Sequence, residues 1–193
     1  VLPSIDVRNW DVSKADSFNA MFNDCMAFKT IDLTNWNTSN VIAFSQMGEG
    51  CEALEYIIGM NTWDTSNGKN FGEMFRYCYI LKEVDFSNFN TKNATISYQH
   101  PNSEKGLNQM FGPEVTGLEK IIIGEDFTFL GSGDCTKGYP AAPSATKISG
   151  ADGLWYNEEG IGFAPSAIPN LKKAVYYASK DLFVSKRIAF FTS

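Results

Sequence analysis

A chain of 193 residues with 16 Lys and Arg against 22 Asp and Glu carries a net charge of −6. That balance argues against binding a phosphate backbone or an anionic membrane surface, which calls for clustered positive charge. The apolar runs, such as residues 118–123, are too short to span a bilayer, while fifteen Phe, eight Tyr and four Trp supply ample area for a core.

Taken from its start, the chain repeats itself. Residues 5–30 align without a gap on residues 31–56, a period of 31 − 5 = 26. A third copy begins near Ile57 or Ile58 and a fourth at Val84. The aromatic column Trp10, Trp36, Trp63, Phe89 is spaced 26, 27 and 26, and Cys25, Cys51, Cys78 are spaced 26 and 27. The methionine column runs Met21, Met47, Met74, Met110, and its last gap of 36 marks an insertion near Ser97–Gly106, a polar stretch that reads as a loop. Phe28, Leu54, Leu81 and Leu118 close the copies. Self-similarity at this period predicts a stacked repeat array.

Each copy opens on an apolar–polar–apolar triplet, Ile31-Asp32-Leu33 or Val84-Asp85-Phe86, the pattern of a half-buried strand. A helix is predicted next. Phe18, Met21, Phe22 and Cys25 fall at i, i+3, i+4 and i+7, and Phe71, Met74, Phe75 and Cys78 repeat the spacing. The turns before these segments, Asp11-Val-Ser-Lys, Asn37-Thr-Ser-Asn, Asp64-Thr-Ser-Asn and Asn90-Thr-Lys-Asn, hold short polar side chains suited to capping a helix. Copy 2 has Gly48 in place of the inward Phe, so its helix around Ala43–Gly50 is expected to be short, 3₁₀-like or frayed.

The pattern (I/V)D(L/F)xN(W/F)(D/N)TSN…F..MF..C..L over residues 2–130 resembles the repeats of the BspA-like leucine-rich bacterial surface proteins, also described as DUF285. The departures are Gly48, the insertion near 97–106, and Glu114 where Cys is expected. The resemblance implies an α/β, leucine-rich-repeat-like right-handed solenoid, with a parallel sheet on one face and short helices on the other. It also implies residence on a bacterial cell surface or a phage-like particle and a role in adhesion or recognition.

Beyond the fourth copy, residues 121–130 read as a final strand, which sets the array at 1–130. Residues 131–193 then form an irregular, β-containing C-terminal cap, since terminal repeats must cover the open core. This cap holds a hairpin-like piece at Leu154–Asn157 and Gly162-Phe163, a turn at Pro165–Pro169, a strand at Ala174–Ala178, and a last strand or tail at Lys186–Ser193. At the other end, Leu2 stands in the Phe28, Leu54, Leu81, Leu118 column. The chain therefore reads as opening on the end of an earlier repeat. Further repeats or a capping domain are expected ahead of it, or else end-to-end self-association through an uncapped first rung.

Several columns are candidate sites. Trp10, Trp36, Trp63 and Phe89 form an internal ladder, with stacking on sugar rings as the functional alternative. Asp6, Asp32 and Asp85 fall mid-strand, where they would face outward and offer a ligand surface for a cation or a cationic partner, or merely a solvated face. Asn9, Asn35 and Asn88, with Thr62 in the third copy, look like the buried polar ladder of leucine-rich repeats. Cys25, Cys51 and Cys78 are expected to be reduced, buried and stacked, with Cys135 a lone thiol outside the ladder. His100 is the only histidine and lies in the polar insertion. The sequence holds no GxSxG, HExxH or phosphate-loop motif, so no enzyme, cofactor or metal is expected. The expectation is a non-catalytic extracellular recognition or adhesion module for a protein or glycan ligand. A structural spacer and the receptor-binding tip of a phage-like tail are the alternatives.

Overall fold

The computed structural model describes residues 4–94, 106–107, 109–129 and 138–191. His100, Cys135 and nearly all of the polar insertion lie outside them. The triplets of copies 2 to 4 and the run after them fall on strands, while Ile5-Asp6-Val7 of copy 1 forms none: β1 (Thr30–Asp32), β2 (Tyr56–Ile58), β3 (Glu83–Phe86) and β4 (Lys120–Ile123) pair in parallel. The sheet then continues with reversed polarity. From the C-terminal region come β5 (Trp155–Asn157), β6 (Gly162–Phe163) and β7 (Ala174–Tyr177). β7 lies antiparallel on β4, β5 on β7, and β6 on β5, giving the order β1-β2-β3-β4-β7-β5-β6. Parallel register stacks like on like, with Ile31 beside Ile57 and Val84 beside Ile121. Alternation turns this row, ending at Tyr176, toward the core.

The expected leucine-rich-repeat-like solenoid with short helices on one face is not formed. The described residues form a seven-stranded mixed sheet with almost no helix. Among the described residues the one α-helix is α1 (Lys180–Phe191), where a last strand or tail was expected. Two short 3₁₀ turns, Met60–Thr62 and Pro165–Ala167, complete the helical content described.

The segments that carry the i, i+4 spacing are chains of overlapping turns. Met21 donates to Phe18, Asn23 to Ala20 and Cys25 to Phe22, each N–H reaching the carbonyl three residues back. Ala20 and Asp24 sit at φ 55° and 57°, and their counterparts Gln46 and Gly50, then Glu73 and Tyr77, are also left-handed. A left-handed residue every fourth position breaks any α-helix. It also repeats with a period of four, so Phe18 and Phe22 still face the core. Gly48 belongs to the same kind of turn row, and the Phe75 ring fills the space its side chain leaves, 3.6 Å from where a Cβ would sit.

The freed N–H groups bond to the next copy. Phe18, Ala20, Phe22 and Asp24 donate to the carbonyls of Ala43, Ser45, Met47 and Glu49 at 2.8, 3.0, 2.8 and 2.8 Å. Phe44, Gln46, Gly48 and Gly50 donate in turn to Asn70, Gly72, Met74 and Arg76 at 2.7, 3.0, 2.9 and 2.9 Å. Successive copies are thus joined on two sides, by the sheet and by this second ladder.

Between the two ladders lie the rings. Trp36 and Trp63 stack at 6.3 Å and 4°, and Trp63 and Phe89 at 6.0 Å and 15°. Phe44 and Phe71 stack beside them at 5.0 Å and 3°. A polar column runs alongside. Thr65 Oγ1 donates to the Asn90 carbonyl and accepts the Asn90 N–H, and Thr91 does the same with Thr128. Both threonines are fully buried, so each hydroxyl satisfies two backbone groups that would otherwise cost about 1–3 kcal/mol apiece.

Candidate functional site

Alternation that buries one face of the sheet leaves the other in solvent. Register sets two rows on that outer face. One runs Thr30, Tyr56, Glu83, Lys120, Tyr177 and the other Asp32, Ile58, Asp85, Ile122, Val175. Tyr56 and Ile58 stand out, each 48% exposed on a strand whose two neighbours present Thr30, Asp32, Glu83 and Asp85. They line a groove of about 400 Å³ with Thr30, Asn61, Glu83 and Asp85. The Lys120 ammonium holds Glu83 at 2.7 Å, and Lys82 holds Glu119 at 2.7 Å. A second, more polar hollow lies among Asp64, Asn88, Glu125, Asp126 and Lys173, where Lys92 pairs with Asp126.

The acidic column is placed differently from a free carboxylate row. Asp32 Oδ1 accepts from the Thr34 N–H at 3.0 Å and from the Thr34 hydroxyl at 2.5 Å, and Asp85 Oδ1 accepts from the Ser87 N–H at 3.0 Å. Asp6 does the same with the Arg8 N–H at 3.1 Å, and the Arg8 guanidinium adds a two-pronged contact at 3.0 and 2.8 Å. Each aspartate therefore closes a turn, for Asp32 and Asp85 the one that follows their strand. The Arg8 side chain holds the Asp6 carboxyl down at about 2, and the Thr34 hydroxyl lowers that of Asp32. Ile58 stands between Asp32 and Asp85, and Asp6 lies outside the strands, so the three do not converge.

The other columns divide. Trp36, Trp63 and Phe89 are buried, while Trp10 is 44% exposed and stacks on Trp36 with one face only, at 6.4 Å. Asn9, Asn35 and Asn88 are exposed, so they are not the buried polar ladder. The threonines Thr38, Thr65 and Thr91 hold that place. Asn40, Asn67 and Asn93 form an outer amide ladder, each Nδ2 donating to the carbonyl of the preceding copy at 2.8, 2.7 and 3.1 Å. The signal for both was the repeated Thr-Ser-Asn, which was assigned to helix caps. The Asx residues before it do bond two residues on, as Asn37 with Ser39 and Asp64 with Ser66, but they close turns.

Cys51 and Cys78 are fully buried and Cys25 half-buried, all three as free thiols. Cys51 Sγ contacts the Phe22 carbonyl and Cys78 Sγ the Gly48 carbonyl, each at 3.1 Å. Burial pushes the Cys51 thiol from 9.0 up to about 12 and raises Cys78 as well. A thiol raised on folding favours the native state fully below its unfolded value, and that contribution is lost as pH climbs toward the folded one. Stability is therefore expected to fall between about pH 9 and pH 12. Urea unfolding at pH 8, 9 and 10 should show a shallower decline in Cys51→Ala, by up to about 1.4 kcal/mol per pH unit. Parallel declines would mean that Cys51 ionises as readily folded as unfolded.

Among the described residues no group of three or more His, Cys, Asp or Glu is arranged to hold a metal ion, and no helix is long and apolar enough to cross a membrane. Stacked copies joined by the sheet and by a turn-based second ladder define a repeat protein with an exposed groove on its outer sheet face. Residues 3–112, more than half the chain, match the family model described as "Mycoplasma protein of unknown function, DUF285", and the chain belongs to that family. No curated protein and no solved structure matches it.

Proposed function

We propose that the chain is a non-catalytic recognition or adhesion module acting outside the cell, with the outer sheet face as its ligand surface. The observation that carries this reading is the pair Tyr56 and Ile58, held half-exposed by a short strand in a groove of about 400 Å³. Ring and branched aliphatic side chains held on rigid strands are the kind of anchor that gives a binding surface its affinity. Glu83, Asp85 and Asn61 around them supply acceptors and donors for a protein or glycan ligand. The likeness of the repeats to BspA-like surface proteins supports a cell-surface or phage-particle setting. The spacer reading draws on a different observation: Asp32 and Asp85 are engaged in turns, and the ladders brace every copy.

Glycan and matrix-protein arrays probed with the full chain and with the double variant Tyr56→Ser, Ile58→Ser test it. The wild type is expected to bind, and the variant to lose at least about tenfold in affinity, the effect of removing about 1.4 kcal/mol of contact. Both side chains being exposed, the melting temperature should hardly move. Binding that survives the double change would place the ligand elsewhere, and silence across the panel would favour the spacer.

A further inference from the structure

Four copies close the turn after their aromatic column in the same way. Asp11, Asn37, Asp64 and Asn90 each accept, at Oδ1, the N–H two residues on, from Ser13, Ser39, Ser66 and Lys92 at 3.0, 3.2, 3.0 and 3.1 Å. In copies 2 to 4 the residue between is a threonine. Thr38, Thr65 and Thr91 send their hydroxyls to a carbonyl of the following copy at 2.9, 3.1 and 2.8 Å. Each such rung thus uses one acceptor from its own Asx residue and one from its neighbour.

The next rung has neither. Glu83 pairs with Lys120, an offset of 120 − 83 = 37 that puts Phe127 in the Asx place, Thr128 in the threonine place and Phe129 two residues on from Phe127. The Phe127 side chain has no oxygen to offer. Its ring is fully buried and lies flat on Phe86 at 5.1 Å and 6°. Beyond β4 the sheet continues with the antiparallel β7, so no copy in the repeat's register supplies a carbonyl to Thr128.

Asn170 provides what both would have given. Its Oδ1 accepts the Phe129 N–H at 2.6 Å and the Thr128 hydroxyl at 3.0 Å. A backbone N–H can only donate, so the atom it meets is the carboxamide oxygen. The amide nitrogen reaches the Tyr139 hydroxyl and the Ile168 carbonyl, each at 3.5 Å. The following residue completes the contact, for Leu171 donates its N–H to the Phe127 carbonyl at 2.8 Å. Leu171 is 50% exposed and sits at φ 54°, a left-handed conformation that a residue with a Cβ keeps only where its surroundings enforce it.

We propose that Asn170 is the positioning residue by which residues 168–171 act as a strap that recognises and closes the array. One carboxamide oxygen stands in for the missing Asx side chain and for the missing next copy together. Selectivity follows from the same geometry. In copies 1 to 4 the equivalent N–H is already held within the copy, so the strap finds a donor to take where Phe has replaced Asx. Phe127 and Asn170 together therefore fix the rung at which parallel stacking gives way to the antiparallel strands.

The test is hydrogen exchange on the full chain carrying Asn170→Leu, which keeps the side chain's shape without the acceptor, or Asn170→Asp, which keeps the acceptor. In Asn170→Leu the Phe129 and Leu171 amides should exchange at least about tenfold faster, a local opening, while the ladder amides of Ala20, Phe22, Gln46 and Gly48 keep their wild-type protection. Asn170→Asp should hold both amides near the wild-type level. Unchanged protection of Phe129 in Asn170→Leu would overturn the proposal. Equal losses in the two variants would overturn it as well, since shape and not the acceptor would then hold the strap. If Asn170→Leu unfolds the whole chain, Asn170→Asp decides alone: a folded chain with Phe129 protected supports the proposal, and a chain unfolded alike overturns it. Neither change touches Tyr56 or Ile58, so failure here leaves the sheet-face reading standing.

Discussion

Trp63→Ala is expected to destabilise the protein by about 3–5 kcal/mol, the range for emptying a buried aromatic site. Trp63 is 1% exposed and sits between two rungs, Trp36 on one side and Phe89 on the other, with Phe44 at 5.7 Å and Phe18 at 6.0 Å. Its loss opens a cavity that copies 2 and 4 cannot close, because two hydrogen-bonded ladders fix their spacing. Set against the roughly 5–15 kcal/mol by which domains are stable, that is about a fifth of the total or more. Two controls separate ring packing from other causes. Among the described residues the buried Trp63 indole N–H has no hydrogen-bond partner, so Trp63→Phe removes that donor along with some volume, and about 1.5 kcal/mol or less should be lost. Trp10→Ala, at the open end with one stacked face, should cost about 1 kcal/mol. Urea midpoints for the three variants check this order. Equal losses for Trp63→Ala and Trp10→Ala would mean that the ladder is not cooperative packing.

The ladder was legible because its period survives in the sequence whatever the local backbone does. Trp36, Trp63 and Phe89 stack because they recur, and recurrence is visible without knowing the fold. The strands were legible for a simpler reason: Ile31-Asp32 and Val84-Asp85-Phe86 alternate as a half-buried strand must. The turn rows were not. Phe18 and Phe22 lie four apart, which suits both an α-helix and a run of overlapping turns. What distinguishes the two is a left-handed residue at Ala20 and Asp24, and neither Ala nor its counterparts Gln46 and Glu73 advertise that conformation. Gly50 alone hinted at it. Hydrogen bonds to the next copy overrode local helix preference here, as tertiary context often does.

The groove was hidden by one residue. Copy 3 is 27 residues after copy 2 by its Trp, so either Ile57 or Ile58 could open it. A slip of one residue exchanges the faces of a strand. Only the pairing of Ile31 with Ile57 sends Tyr56 and Ile58 outward together. Asp32 and Asp85 lie outside the core, and their bonds to Thr34 and Ser87 depend on how each strand ends, which spacing does not encode.

The second large effect is expected at Arg76, which no column of the sequence singled out. Three glutamates from successive copies gather round it. Its Nη1 lies 3.2 Å from Glu73 and 4.0 Å from Glu49, its Nε lies 3.8 Å from Glu114, and the guanidinium stacks 4.5 Å over the Tyr77 ring. Glu73 is 6% exposed, and Glu49 also accepts from Gln46 at 2.8 Å and Asn23 at 3.2 Å. The three come from different columns of the repeat, Glu49 aligning with Arg76 itself, Glu73 with Gln46 and Glu114 with Cys78, and like charges gathered at one point repel. One planar guanidinium fork offsets them, with a single hydrogen bond, from Nη1 to Glu73, and longer-range attraction to Glu49 and Glu114; its buried Nε makes no hydrogen bond among the described residues. Arg76→Met keeps the stem and its packing but removes the cation and its hydrogen bond to Glu73 at a partly exposed site, at a cost of about 1.5–3 kcal/mol. Arg76→Lys should lose less, since charge remains while the fork is gone. A double-mutant cycle decides whether charge is the cause. Adding Glu73→Gln to Arg76→Met should recover a substantial part of the loss, with a coupling of about 0.5–3 kcal/mol. Additive losses in denaturant titrations would mean that Arg76 acts through its packing on Tyr77 and not through the glutamates.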